Sequence, residues 1–416
     1  MTVKGKYGLT TISVILLFVF SLCPKGWTKD TIKLGISCAR SGPAKGLGER
    51  YLMGWLACFK QVNASGGING RQIEWVVMDD AYNGERAVRN TKRLLSEKVD
   101  VLAGYVGTPT TRAVIEWMEK NKIVVPFFFP LTGARIIKKT VFPGMYAMRP
   151  FYSDEINLMV DYFVSQGYSR FGIFYQDDTF GLSGKTGFIK ALNKYDLLSY
   201  YEGKYNKKTL EMRQAVKEAI KDKPEVIILV GTAPPAAKFI KEVLEKSEGY
   251  APIFVCLSFI LPEELINLVG KQVRAQIYVS QVVPCPGRAD FKVVQEYRKA
   301  MEKFYPDSKF SFTSLEGYIG AKLLCEVLRR AEDLSLSSIR QAAESMKNYN
   351  VGLDVSFGFS PLNHRSKLFV GLYRWDGSSW HMVAEKRFGF VSPEINTEKK
   401  EKSVQVILTS VKEEED

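Results

Sequence analysis

Apolar positions along this chain fall into two alternating periods. A short apolar run at residues 31–37 predicts a strand, and Tyr51, Leu52, Trp55, Leu56, Phe59 and Val62 then recur at helical spacing. Asn63-Ala-Ser-Gly-Gly-Ile-Asn-Gly70 ends that helix, because its glycines take the positive φ of helix ends and turns. A strand at 72–78, a helix at 83–97, a strand at 99–103, a further helix and a strand at 123–128 continue the series. Strand and helix in such short alternation predict a parallel sheet with helices on both faces, and such sheets bind ligands beyond the carboxyl ends of their strands. Gly104-Tyr-Val-Gly-Thr-Pro-Thr-Thr111 stands at one such end, before a helix with Ala113, Val114, Trp117 and Met118 on its apolar side. Thr108 is expected to cap that helix, with Pro109 in its first turn and Gly107 admitting a ligand to the backbone; free N–H groups and hydroxyls there suit a carboxylate. An ordinary capped strand-to-helix turn has the same pattern.

A second series follows Arg149-Pro-Phe-Tyr152. Helices are expected at 154–165, 182–193, 212–221 and 236–244, and strands at 171–175, 197–201, 226–230, 253–257 and 277–282. Helices at 291–304 and 314–330 have no strand between them and read as cover for a sheet already built. The economical arrangement is two α/β lobes: residues 28–150 with 283–366, and residues 151–282 with 367–390, the last two strands at 368–373 and 382–386 returning to the second. Beyond Val391 the chain turns to charge clusters and ends Glu-Glu-Glu-Asp416, a tail with one candidate edge strand around Val404, Val406 and Leu408.

Composition adds a compartment. Lys4 and Lys6 precede an apolar run from Leu9 to Leu22, which a polar break at Pro24, Lys25 and Gly26 ends; this reads as an export signal over residues 1–27, placing the mature chain in the periplasm. Cys23 stands where a lipidated cysteine would, but Leu22 before it is not the small residue such signals prefer. Cleavage after Cys23 leaves Cys38, Cys58, Cys256, Cys285 and Cys325, an odd set without paired spacing that reads as buried thiols rather than a disulfide framework. The 416 residues are 46% hydrophobic and 25% charged, enough for two domains with cores. The formal charge of +13, or +11 without Lys4 and Lys6, is spread among acids on helix faces such as Lys92, Arg93, Glu97 and Lys98. That pattern excludes a nucleic-acid partner and leaves solubility or attraction to anionic surfaces.

Catalytic chemistry is sparse. The two histidines, His364 and His381, come late and lack partners at metal-ligand spacing, which argues against zinc chemistry and a Ser-His-Asp triad. Gly181-Leu-Ser-Gly-Lys-Thr186 is two residues too short between its first glycine and Gly-Lys for a nucleotide loop. Asp79-Asp80 and Asp177-Asp178 each follow a strand, where paired carboxylates serve acid–base work or a cation but more often cap the next helix.

Ser41-Gly-Pro43, Asn63 through Arg71, Asp79-Asp80, Gly107-Thr-Pro-Thr-Thr111, Arg149-Pro-Phe-Tyr-Ser-Asp-Glu155 and Ser314-Leu-Glu-Gly-Tyr318, taken in order, resemble the substrate-binding proteins of branched-chain amino-acid-type ABC transporters, which are type I periplasmic binding proteins. The resemblance runs from about Thr31 to Arg387. It implies two doubly wound parallel-sheet lobes joined by three hinge crossings, closing over a small ligand, an amino acid or organic acid, that a monomer passes to a membrane permease without catalysis or cofactor. It makes Thr108 and Thr132 hydroxyl contacts, with Pro130 and Gly133 lining the same wall by their backbone and Tyr152 nearby. Phe180, Thr232 and Ser258 fall where the family places a covering aromatic, a second aromatic and an acid that pairs with the ligand's ammonium. Thr232 is not aromatic and Ser258 is not acidic, so carboxylates without an amino group gain, unless Asp177 or Asp178 replaces the missing charge. A ligand-sensing subunit acting on a signalling partner is the alternative, and an enzyme using the paired acids a third reading.

Overall fold

The computed structural model describes residues 31–135, 143–389 and 406–408. The export signal at 1–27, with Cys23, and the tail from 391, apart from 406–408, lie outside the described residues. The first sheet is built by β1 (Thr31–Cys38), α1 (Lys45–Ala64), β2 (Gln72–Asp79), α2 (Gly84–Ser96), β3 (Val101–Ala103), α3 (Thr108–Lys120), β4 (Phe127–Phe128) and β5 (Met145–Tyr146). Its five strands are all parallel, in the order β2-β1-β3-β4-β5. The expected strand at 123–128 is reduced to Phe127–Phe128, because Pro126 has no N–H to give the ladder; its carbonyl still accepts from Leu102 at 2.9 Å.

The chain then leaves for a second sheet through α4 (Tyr152–Ser165), β6 (Phe171–Gln176), α5 (Thr179–Asn193), β7 (Tyr201–Tyr205), α6 (Arg213–Asp222), β8 (Val226–Val230), α7 (Ala233–Lys246), β9 (Ile253–Cys256), α8 (Pro262–Val269) and β10 (Ile277–Gln281). β6 and β8 are buried at every position, as parallel strands covered on both faces must be, and they read as unbroken apolar runs for that reason. β7 starts where its expected strand at 197–201 ends. Leu197 and Leu198 drew the expectation, yet Leu198 is 82% exposed, while Tyr201, Gly203 and Tyr205 alternate inward on an edge strand.

α9 (Lys292–Phe304), α10 (Phe312–Arg330) and α11 (Leu336–Ser345) follow, then a small pair of strands, β11 (Tyr349–Asn350) and β12 (Ser356–Phe357). Finally β13 (Phe369–Trp375), β14 (Trp380–Arg387) and β15 (Val406–Leu408) join the second sheet antiparallel, giving the order β15-β14-β13-β10-β9-β8-β6-β7. The fold is therefore two α/β lobes. The second is parallel at its centre and carries an antiparallel extension on one side. Cys38, Cys58, Cys256 and Cys325 are buried thiols and Cys285 is half-buried, all unpaired.

α9 and α10 belong to the first lobe because α10 lies directly on α1. A Cβ at Gly54 would sit 1.8 Å from the Ser314 carbonyl oxygen, and one at Gly317 would sit 2.2 Å from that of Tyr51. The two backbones touch, and Trp55, fully buried between them, packs against Gly320. Gly54→Ala should destabilise the protein by about 2 kcal/mol, the cost of forcing a methyl into a filled core, while leaving far-UV circular dichroism unchanged; urea titration of both proteins measures it, and equal midpoints would contradict this helix contact.

Candidate functional site

Parallel strands end on the same side of a sheet, so the loops after β3 and β4 come together in the first lobe. Leu131 N–H donates to Tyr105 O at 2.7 Å and Gly107 N–H to Leu131 O at 3.1 Å, locking the two loops side by side. That register sets the Thr108 and Thr132 hydroxyls 2.9 Å apart. Tyr152, which opens α4, gives its N–H to Gly133 O at 2.9 Å, and its hydroxyl lies 3.1 Å from Thr108 Oγ. Burial raises the Tyr152 phenol to about 12, so it is neutral. Thr108, Thr132 and Tyr152 therefore form one buried hydroxyl cluster, with Pro130 and Gly133 in the same wall.

Two expectations about this turn change. Gly107, at φ 101°, is the N-cap of α3, and Thr108 is already helical, so its hydroxyl goes to Thr132 and Tyr152 instead of to a cap. Gly107 is needed less for a ligand than for Tyr82, since a Cβ there would sit 2.2 Å from the Tyr82 ring. Tyr82 itself holds φ at 59°, a left-handed conformation unusual for a bulky residue. Its hydroxyl is buried without a hydrogen-bond partner, and its ring lies under Lys207 of the second lobe at 4.7 Å.

The second lobe presents Phe180, Thr232 and Ser258, likewise beyond strand ends. Phe180 packs against Tyr152 and Phe259 with centroids 5.2 and 4.8 Å away, so it backs the tyrosine whose hydroxyl reaches Thr108 in the first lobe. Thr232 is the N-cap residue of α7, and its buried hydroxyl lacks a hydrogen-bond partner. Ser258 lies elsewhere in character: its hydroxyl accepts from Arg149 Nη2, and its N–H reaches Glu155 Oε2 at 3.3 Å. Arg149 also donates to both Glu316 oxygens at 2.8 and 2.6 Å and sits 3.6 Å from Glu155. Burial works against the charge on Arg149, but the two glutamates outweigh it and hold the guanidinium above its ordinary value. Glu316 is raised by the same burial, with Arg149 opposing.

Neither acid pair is free to replace the missing carboxylate. Asp178 caps α5 through Phe180 N–H at 2.9 Å and pairs with Lys207 at 2.9 Å, while Asp177 pairs with Lys204 at 2.9 Å near the surface. Asp79 and Asp80 do not cap the next helix; Asn83 does. Asp79 instead accepts from the N–H groups of Arg40, Ser41 and Ala81, and Asp80 from Ser37 Oγ and Tyr82 N–H.

Between the lobes lies an open cavity of about 420 Å3. Of the expected residues Thr108 and Gly133 line it; the rest of its wall includes Arg112, Arg135, Asn157 and Lys190. Sequence reasoning missed these, and it missed the roles of Arg149 and Glu316 although both stand in the quoted motifs. A charge inside an otherwise apolar helix face, as at Glu316 between Leu315 and Ile319, was the available signal.

A family model described as periplasmic binding protein matches residues 31–378. The chain belongs to the periplasmic binding protein family. Leu/Ile/Val-binding protein homolog 7 of Brucella suis is 23% identical over 360 residues, covering 83% of this chain and 89% of that protein. Among solved structures, a possible leucine/isoleucine/valine-binding protein from Rhodopirellula baltica superposes with a TM-score of 0.78 at 29% identity, over 85% of this chain and 96% of that one. The branched-chain amino acid transporter substrate-binding protein of Streptococcus pneumoniae, solved with isoleucine, shares the fold at a TM-score of 0.71 and 17% identity, over 85% and 99% of the two chains. This periplasmic binding protein is thus of the branched-chain amino-acid type, and its relatives are substrate-binding proteins. Among the described residues no helix is long and apolar enough to cross a membrane.

Asp80 gives the binding wall a pH signature. Burial raises its carboxyl to about 6 despite the bonds from Tyr82 N–H and Ser37. The folded protein therefore takes up a proton before the unfolded chain does, and the stabilisation from that proton, full below the ordinary carboxylate range, is lost as pH rises through 6. Between pH 7 and pH 5 the native protein should gain on the order of 1–2 kcal/mol relative to Asp80→Asn; parallel urea curves across that range would show that Asp80 does not titrate there.

Proposed function

We propose that this protein is the extracytoplasmic receptor of an ABC transporter, holding a small carboxylate between its lobes and delivering it unaltered to a membrane permease as a monomer, with no cofactor. The reading divides the chain into lobes at 28–150 with 283–366 and 151–282 with 367–390, behind a cleaved signal at 1–27. The membership of the strands in two sheets supports that division. In it the ligand favours the closed form because it touches both walls at once.

The observation that carries the reading is the pair of hydroxyls of Thr108 and Thr132, 2.9 Å apart at the carboxyl ends of parallel strands and met by the hydroxyl of Tyr152, which Phe180 backs from the second lobe. A carboxylate accepts hydrogen bonds only, and these groups donate. The Tyr152 hydroxyl must give way or share its bond with Thr108 as the ligand enters, which keeps the site satisfied when empty.

Arg149 speaks to the other end of the ligand. Its guanidinium is bonded to Ser258, where the resemblance expects an acid for the ammonium. Ser258 brings no carboxylate of its own, and its hydroxyl and N–H are already taken by Arg149 and Glu155, which favours carboxylates without an amino group. Calorimetry with a panel of α-amino acids and their deaminated counterparts tests this: the deaminated acid should bind and the amino acid bind less tightly. Thr108→Ala with Thr132→Ala should weaken the preferred ligand tenfold or more, at least about 1.4 kcal/mol; unchanged affinity in that double variant would refute the placement.

A further inference from the structure

The cleft cavity carries more positive charge than one carboxylate requires. Arg112 and Arg135 reach it from the first lobe and Lys190 from α5 of the second, and among the described residues none that lines it is acidic. Arg112 is bonded to Glu116 at 2.7 Å. Arg135 lies 4.1 Å over the Phe151 ring, and neither it nor Lys190 makes an ion pair among the described residues. Several basic residues elsewhere on the surface are matched with an acid one helical turn away, as in Lys246–Glu242 and Arg340–Glu344. A second interlobe cavity of about 440 Å3 shows the contrast, since Lys45 and Arg50 there face Glu49 and Glu264.

The start of α5 adds donors to the same cavity. Residues 181–186, too short for a nucleotide loop, form its first turns; Ser183 and Thr186 line the cavity, while Lys185 turns away to Glu202 at 2.6 Å. Thr179 Oγ, in the first turn, is buried with no hydrogen-bond partner. Thr179, Ser183, Thr186 and Lys190 thus lie along one flank of α5, which lays hydroxyls, one of them unused, beside a basic chamber.

We infer that the ligand bears two negative groups, one held at Thr108 and the other by Lys190 and Arg135 in this cavity. This deepens the carboxylate-receptor reading and rests on it. A neutral or apolar extension would leave both cations facing one another across the cleft as the lobes close. A second anion cancels that repulsion and draws the α5 wall toward the first lobe. Because the cavity is open to solvent, the preference is sensitive to ionic strength, fading as the screening length drops below the width of the site.

The test pairs monoanions with dianions of equal carbon skeleton on the full mature chain: butyrate against succinate, valerate against glutarate, 2-methylbenzoate against phthalate, with 3-phosphoglycerate as the arm in which the second anion is a phosphate. Titration calorimetry at low salt should give a dianion at least tenfold tighter than its monoanion partner. In Arg135→Gln with Lys190→Gln that ratio should fall at least fivefold. Equal binding of the two members of every pair, or an unchanged ratio in the double variant, overturns this inference and leaves the receptor reading standing. Absence of binding by every carboxylate in the panel overturns both.

Discussion

A buried guanidinium needs carboxylates, and in this protein the requirement is met by residues from both lobes at once. Arg149 lies on the first crossing between the sheets, Glu316 on α10 of the first lobe, and Ser258 and Glu155 in the second. Glu155 completes its shell with the Ser280 hydroxyl at 2.5 Å. The backbone is drawn in as well: Arg365 donates to the Arg149 carbonyl, and Ala147 exchanges hydrogen bonds with the neighbouring strand through His364 O and Ser366 N–H. Removing any one carboxylate would strand a charge in a medium that solvates it poorly, a cost of several kcal/mol, so the members hold each other in place.

The binding wall follows from that anchor. Fixing Arg149 fixes Pro150 and Phe151, and these deliver Tyr152 to Gly133 and Thr108. Phe151 is held from its own side by the Asp154 carboxylate on its N–H at 2.8 Å, and Lys367 of the third crossing pairs with that carboxylate. Two crossings and the first turn of α4 therefore share one polar frame. A motion of the lobes has to pass through it as a rotation of these segments, since the paired charges cannot part cheaply.

Much of this was legible from local pattern. The strand and helix alternation gave the two sheets because parallel strands covered on both faces, such as β6 and β8, advertise themselves as apolar runs, and α1 and α10 advertise an apolar stripe. The Thr108 turn was legible because it follows a strand end in such a sheet, whereas Thr132 came only from the family resemblance. What local pattern misjudged was decided at a distance. Leu197 and Leu198 look like a strand, yet the edge position went to Tyr201–Tyr205, whose alternation suits one-sided burial. Thr108 looks like a cap, but Gly107 takes that place because the Tyr82 ring occupies the space of a side chain. Two partners of Arg149, Ser258 and Glu316, are 109 and 167 residues away, and no spacing rule reaches that far.

The two ends of the cleft divide the task of recognition along the line set by solvent. At the inner end Thr108, Thr132, Tyr152 and Phe180 are almost wholly buried. There a poorly matched polar group costs its full desolvation, so shape and hydrogen-bond count discriminate strongly and net charge is kept inside the Arg149 cluster. At the mouth Arg112, Arg135 and Lys190 remain in contact with water, where a misplaced group costs little but a long-range field still acts over a Debye length. Charge is therefore best read at the mouth and geometry at the floor.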